Sequence, residues 1–204
     1  MACKHKFLND LDISYAKGWN TETLIVGTFN PEWSSSNAAT WFYGRVDSNH
    51  FWDVLPAMYD KPSLICSSID DRKLFCETNK IAITDLISII KTAEKSEHLG
   101  IISSFSDKAI SDHFKLEDLQ LTDIVGILNR YPSINHVYLT RGANDSYWKK
   151  IWSPIKKHCK THQISCNELL TPSGYAFYQY TKEERLKHDT LPNFIKSRWK
   201  DKWH

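Results

Sequence analysis

Short apolar runs of strand length alternate with amphipathic segments along this chain, and that alternation predicts an α/β fold: three layers, αβα, around a central, mostly parallel sheet of four strands. The segments that follow the runs support the same class. Three of the four are rich in Asn, Thr, Ser, Gly and Pro, as loops at the carboxyl ends of parallel strands are. Length is the third observation. At 204 residues, 41% of them hydrophobic and 25% charged, the chain holds enough material for one large core. No internal repeat or low-complexity linker divides it, so a single domain over residues 1–204 is expected.

The elements follow in order. Thr23 to Phe29 (TLIVGTF) is a compact apolar run ending at Gly27, the pattern of a buried parallel strand. Asn49 to Tyr59 places Phe51, Trp52, Leu55 and Met58 at helical spacing, with Pro56 as a local interruption; Phe51 and Trp52 read as core. Ile81 to Ile87 is the second strand. Leu121 to Tyr131 is an amphipathic helix capped by Thr122 and stopped before Pro132. Ile134 to Thr140 is the third strand, and Asn144 to Trp152 the helix after it. Ser153-Pro154 reads as a fresh helix start, with serine as cap and proline at the first position. Gln163 to Leu170 is the fourth strand, and Leu191 to Trp203 a closing helix.

Net charge is only +2, which excludes a bulk-basic, histone-like binder, but its distribution is uneven. Lys149 and Lys150 belong to a locally basic C-terminal third, which suits either a phosphate-facing surface or solvated helix faces. The five cysteines are scattered without a CxxC pair, against both a disulfide framework and a zinc ribbon. In the run HCKTHQISC, His158, Cys159, His162 and Cys166 span the end of a helix and the start of a strand, so their donors point in different directions. No metal and no cofactor is expected. The charged N-terminus and the absence of a long apolar run predict no membrane partner and a reduced intracellular setting, cytoplasmic or nucleoid-associated.

Four fragments, in order, resemble motifs of the uracil-DNA glycosylase superfamily. Residues 24–31 (LIVGTFNP) look like its first motif, and residues 42–52 (FYGRVDSNHFW) like the stretch after it in the mismatch-specific uracil/thymine and hypoxanthine branches. Residues 79–87 (NKIAITDLI) are similar to its second strand, and residues 169–174 (LLTPSG) to its last motif. The resemblance implies a uracil-DNA glycosylase-like fold and a monomeric, monofunctional DNA N-glycosylase. Its partner would be DNA carrying a damaged or mismatched base, uracil or hypoxanthine, removed by direct attack of water.

That chemistry assigns candidate residues. Cleaving an N-glycosidic bond leaves a sugar with oxocarbenium character and a departing base carrying negative charge, so the site needs a placed water and hydrogen-bond donors around the base. Asn30 is a candidate catalytic residue because a neutral amide can orient water without repelling the base. Asn49 offers a second amide, and the resemblance makes its N-x-F-W motif an active-site one. Either asparagine also suits a simple turn. Phe42 and Tyr43 are candidates to stack on a flipped base, with core packing as the alternative. Phe29 is a candidate pocket wall. Arg45, Thr171, Ser173, Gly174 and Tyr175 are candidates for DNA contact, with Lys149 and Lys150 on phosphates; Tyr175 and Phe177 could wedge into a base stack. Two rival readings remain open: a catalytically silent nucleic-acid-binding module of the same fold, and a hydrolase of small N-glycosides.

Overall fold

A computed structural model describes residues 2–204. In chain order its elements are β1 (Cys3–Lys4), β2 (Thr23–Gly27), α1 (Phe51–Met58), α2 (Ile69–Thr78), β3 (Ile81–Asp85), β4 (Ile87–Ile90), α3 (Lys95–Ser103) and α4 (Asp107–His113). There follow β5 (Leu119–Leu121), α5 (Ile124–Arg130), β6 (His136–Leu139), α6 (Ser146–Thr161), β7 (Ser165–Glu168), α7 (Lys182–Lys187) and α8 (Leu191–Lys200).

The four strands anticipated from the sequence form one parallel sheet in the order β3-β2-β6-β7. Period-two alternation sends successive side chains of a strand to opposite faces. Leu24 and Val26 of β2 accordingly join a core with Ile124 and Ile127 of α5 and Trp148, Trp152 and Ile155 of α6. Ile25, between them, faces the other core, built on Phe51 and Trp52 of α1, Phe75 of α2 and Trp199 of α8. Two apolar layers, one on each side of the sheet, make the three-layer fold.

Several boundaries differ from the sequence expectation, each for a physical reason. The run 81–87 is two strands: β3 ends at Asp85, and β4 leaves to pair antiparallel with β1 and β5 in a separate three-stranded sheet. Ser153-Pro154 does not restart a helix. Pro154 lies inside a continuous α6, because Trp148, Ile151, Trp152, Ile155 and Cys159 form one buried stripe whose packing outweighs the lost backbone donor. Helix α5 is capped by Asp123 rather than Thr122: the Asp123 side chain accepts from the Gly126 N–H. Among the described residues, no helix is long and apolar enough to cross a membrane.

Candidate functional site

The carboxyl ends of β2, β3, β6 and β7 open into a cleft of about 1000 Å³, walled by the loops that follow them. The N-terminal segment secures one wall. Past β1, the Lys6 N–H donates to the Asn30 carbonyl (2.7 Å), the Glu32 N–H donates to the Lys4 carbonyl (3.0 Å), and His5 pairs with Pro31. The loop after β2 is thereby held as an extra strand-like edge.

Asn30 lines this cleft and is only 2% exposed. Its Oδ1 accepts a short hydrogen bond from the Asn37 amide, whose orientation is fixed because Asn37 Nδ2 also donates to the Pro31 carbonyl (3.0 Å) while its Oδ1 accepts from the Ala39 N–H (3.1 Å). The Nδ2 of Asn30 has no partner among the described residues. A buried donor without an acceptor costs about 1–3 kcal/mol, and of the six unpartnered buried side-chain atoms among the described residues only this one belongs to a residue that lines the cleft. Asn30 thus brings to the cleft wall an oxygen that accepts one hydrogen bond and an amide donor that has none.

Asn49 is also buried in the cleft wall, and its Oδ1 accepts from the Phe51 N–H (3.1 Å), an Asx turn that launches α1. The loop after β7 packs against this turn. The His50 N–H donates to the Pro172 carbonyl (2.7 Å), and Thr171 and Ser173 share a hydroxyl hydrogen bond of 3.0 Å. Gly174 lies close to Ser48: an added Cβ would stand 3.3 Å from the serine Cβ, a tight contact. Two motifs more than a hundred residues apart in sequence thus meet on one side of the cleft, with Tyr175 at its rim.

The aromatic candidates separate. Tyr43 lines the cleft in a left-handed turn with Gly44 (φ 61° and 70°), its ring stacked on Phe51 at 3.6 Å and its hydroxyl 2.8 Å from Thr140. Burial, reinforced by the nearby Asp85 carboxylate, pushes its phenol well above the usual range, so it remains a neutral hydroxyl. Phe42 is not a cleft residue. It is fully buried among Phe7, Tyr15 and Trp41, because the left-handed turn at Tyr43 sends neighbouring side chains opposite ways. Phe29 does form cleft wall, and its carbonyl accepts from Arg45, whose guanidinium also lies 5.1 Å from the centre of the Phe105 ring. Arg45 is thus a brace between two loops as well as a cation at the site.

Sequence reasoning passed over a pair of which Asp85 lines the cleft and His5 is fully buried behind it. His5 Nδ1 accepts from the Phe7 N–H (3.0 Å), which places the ring proton on Nε2, and Nε2 donates to Asp85 Oδ2 (2.7 Å). Asp85 ends β3 directly opposite Gly27. A Cβ on that glycine would fall 2.1 Å from Asp85 Oδ1, so the carboxylate occupies the space a side chain would fill. Asp85 belongs to the apolar run expected as the second strand, but nothing in the sequence links it to a histidine 80 residues earlier.

Farther out, Arg141 pairs with Asp107 (2.9 Å) and lies 4.0 Å from the Trp148 ring centre, and Asp107 also accepts from Thr28 (3.0 Å). Lys149 and Lys150 do not line the cleft; both are exposed on the early turns of α6. Tyr175 and Tyr178 form an exposed aromatic rim, with Tyr178 83% exposed, while the exposed Phe177 packs against Arg185 outside the cleft lining. His158 and His162 stack on the outer side of α6 while Cys159 is buried beneath it, so the donors of HCKTHQISC are divided between two sides.

No family model matches the sequence, and no curated protein matches it. Among solved structures, the chain is similar to the solution NMR structure of a Methanosarcina acetivorans protein provisionally named a uracil DNA glycosylase. The TM-score is 0.52 at 15% identity, over 88% of this chain and 92% of that one. The protein therefore has the uracil-DNA glycosylase-like fold, as its motifs implied.

Proposed function

We propose that this protein is a monofunctional DNA glycosylase that removes a deaminated base, uracil or hypoxanthine, by hydrolysis of the N-glycosidic bond. The observation that carries the reading is the unpartnered amide of buried Asn30 in a cleft at the strand ends of this fold. A flipped base brings carbonyl and ring-nitrogen acceptors, and its departure concentrates negative charge on them. Asn30 Nδ2 would meet that charge. Asn49, whose oxygen is held by the Phe51 N–H, would direct its own Nδ2 to the same base. Tyr43, backed by Phe51, would be the stacking surface, and Phe29 the wall opposite.

DNA would lie across the rim. The loop Thr171–Gly174 would approach the backbone closely, and the exposed ring of Tyr175, with Tyr178 beside it, would fill the gap left by the flipped nucleotide. Arg45 would steady the strand at the cleft edge, and Lys149 and Lys150 would reach phosphates beyond it. Oligonucleotides carrying uracil, hypoxanthine, xanthine or a mismatched thymine, treated with alkali after incubation, test the activity. Strand cleavage is expected at uracil or hypoxanthine. Binding without cleavage at any lesion would instead favour a catalytically silent module, and cleavage of free nucleosides alone would favour a small-molecule hydrolase.

The phosphate role has its own test. Replacing Lys149 and Lys150 together with Ala should lower the slope of log affinity against log salt by about 1.8 for duplex DNA, about 0.9 for each phosphate that a lysine no longer neutralises. An unchanged slope would remove this face of α6 from the interface.

A further inference from the structure

We propose that Asp85 is the group that activates the attacking water, and that His5 is its positioning residue. The inference rests on the glycosylase reading above and adds the part that the two asparagines leave unfilled. Attack on the sugar requires a base to take a proton of water, and an amide oxygen, which is all that Asn30 and Asn49 could offer, is too weak a base for that. Asp85 lines the same cleft, and only its Oδ2 is engaged. Its Oδ1 has no hydrogen-bond partner among the described residues and lies against Gly27, in the space that a side chain there would fill.

The surroundings suit a base rather than a structural ion pair. Among the described residues Asp85 makes no salt bridge to Lys or Arg, and it pairs with His5 alone. The His5 side chain is fully buried, with the rings of Phe7, Phe29 and Phe42 centred 5.8–5.9 Å away. With Nδ1 accepting from the Phe7 N–H, the imidazole presents one fixed N–H to the carboxylate and locks its plane. In the step itself, the water oxygen bonds to C1′ as the C1′–N bond breaks. The bonding pair leaves with the base, and the water's proton passes to Asp85 Oδ1. The base departs as an anion against the amide donors and takes a proton from solvent. The atoms balance without a co-reactant.

Single-turnover excision from a uracil- or hypoxanthine-containing oligonucleotide tests the assignment, with DNA affinity and melting temperature measured on the same variants. Asp85→Asn preserves shape and can still accept from His5, but its second position is an NH2 that cannot take a proton. Excision should fall about a hundredfold or more, with affinity within a few-fold of the parent. Parent-like excision by Asp85→Asn would overturn the proposal. His5→Leu, which removes the N–H, should lower kcat about tenfold with KM little changed, and His5→Gln, which can return an N–H to Asp85, should recover most of it. If Asp85→Asn does not fold, the histidine pair decides: rescue by Gln supports the assignment, and equal rates for Leu and Gln refute it. A parent protein that cleaves no lesion would instead bring down the glycosylase reading itself, and Asp85's role with it.

Discussion

Asn30→Ala should slow single-turnover base excision by about a hundredfold or more, a barrier increase of about 2.7 kcal/mol or more, while the fold loses only about 1 kcal/mol of stability. The pairing of these two results comes from the geometry. Truncation removes an amide nitrogen that has no partner among the described residues, so its loss leaves no new orphan there. Asn37 loses one acceptor but keeps the Pro31 carbonyl, which limits the cost to about 1 kcal/mol. DNA affinity should change little, since phosphates are met elsewhere. The aspartate variant discriminates further. If Asn30 donates to the departing base, Asn30→Asp replaces a donor with a negative acceptor and should be as slow as alanine or slower. If Asn30 instead orients the water, Asn30→Asp should excise as fast as the parent or faster. An active Asn30→Ala beside a dead Asn49→Ala would transfer the essential amide to Asn49. Two active alanine variants would remove both motifs from the chemistry.

The central sheet was legible because β2, β3 and β6 lie in short apolar runs bounded by polar loops, and the polar edge strand β7 is flanked by Ile164 and Leu169. The second sheet was not. β1 is two residues long, β5 is three, and β4 continues a run already used by β3, so no period of two was long enough to separate them. The site divides in the same way. Asn30, Asn49 and the loop 171–174 follow strand ends or open a helix, and local pattern is enough to single them out. His5 and Asp85 depend on a crossing between the N-terminal segment and β3 that leaves no mark on local sequence. Gly27 was the available signal: a glycine closing a buried strand allows close approach by another group, here the Asp85 carboxylate. Phe42 and Tyr43 were indistinguishable for a related reason, since adjacent aromatics differ in role only once the backbone turn between them is known.

That turn leads to the second large effect. Phe42→Ala should destabilise the protein by about 3–5 kcal/mol, seen as a lower urea midpoint with an unchanged slope, because the ring is fully buried and its removal leaves a cavity. The cavity would open beside Trp41, Tyr15 and Phe7, whose centroids lie 5.4, 6.4 and 5.7 Å from Phe42, and beside His5 at 5.9 Å. Activity alone would be ambiguous in that variant, since His5 could shift into the space. Phe42→Leu resolves the matter by keeping most of the apolar volume while abolishing the flat face. A core residue so replaced costs less than about 1.5 kcal/mol if it repacks, and excision should stay within a few-fold of the parent. A stacking platform would lose about 1–3 kcal/mol of base contact, roughly tenfold or more in affinity or rate. Should Phe42→Leu fold normally yet lose that much, the ring must swing into the cleft when DNA binds. Should it excise normally while Tyr43→Leu does not, Tyr43 is the surface on which the base rests.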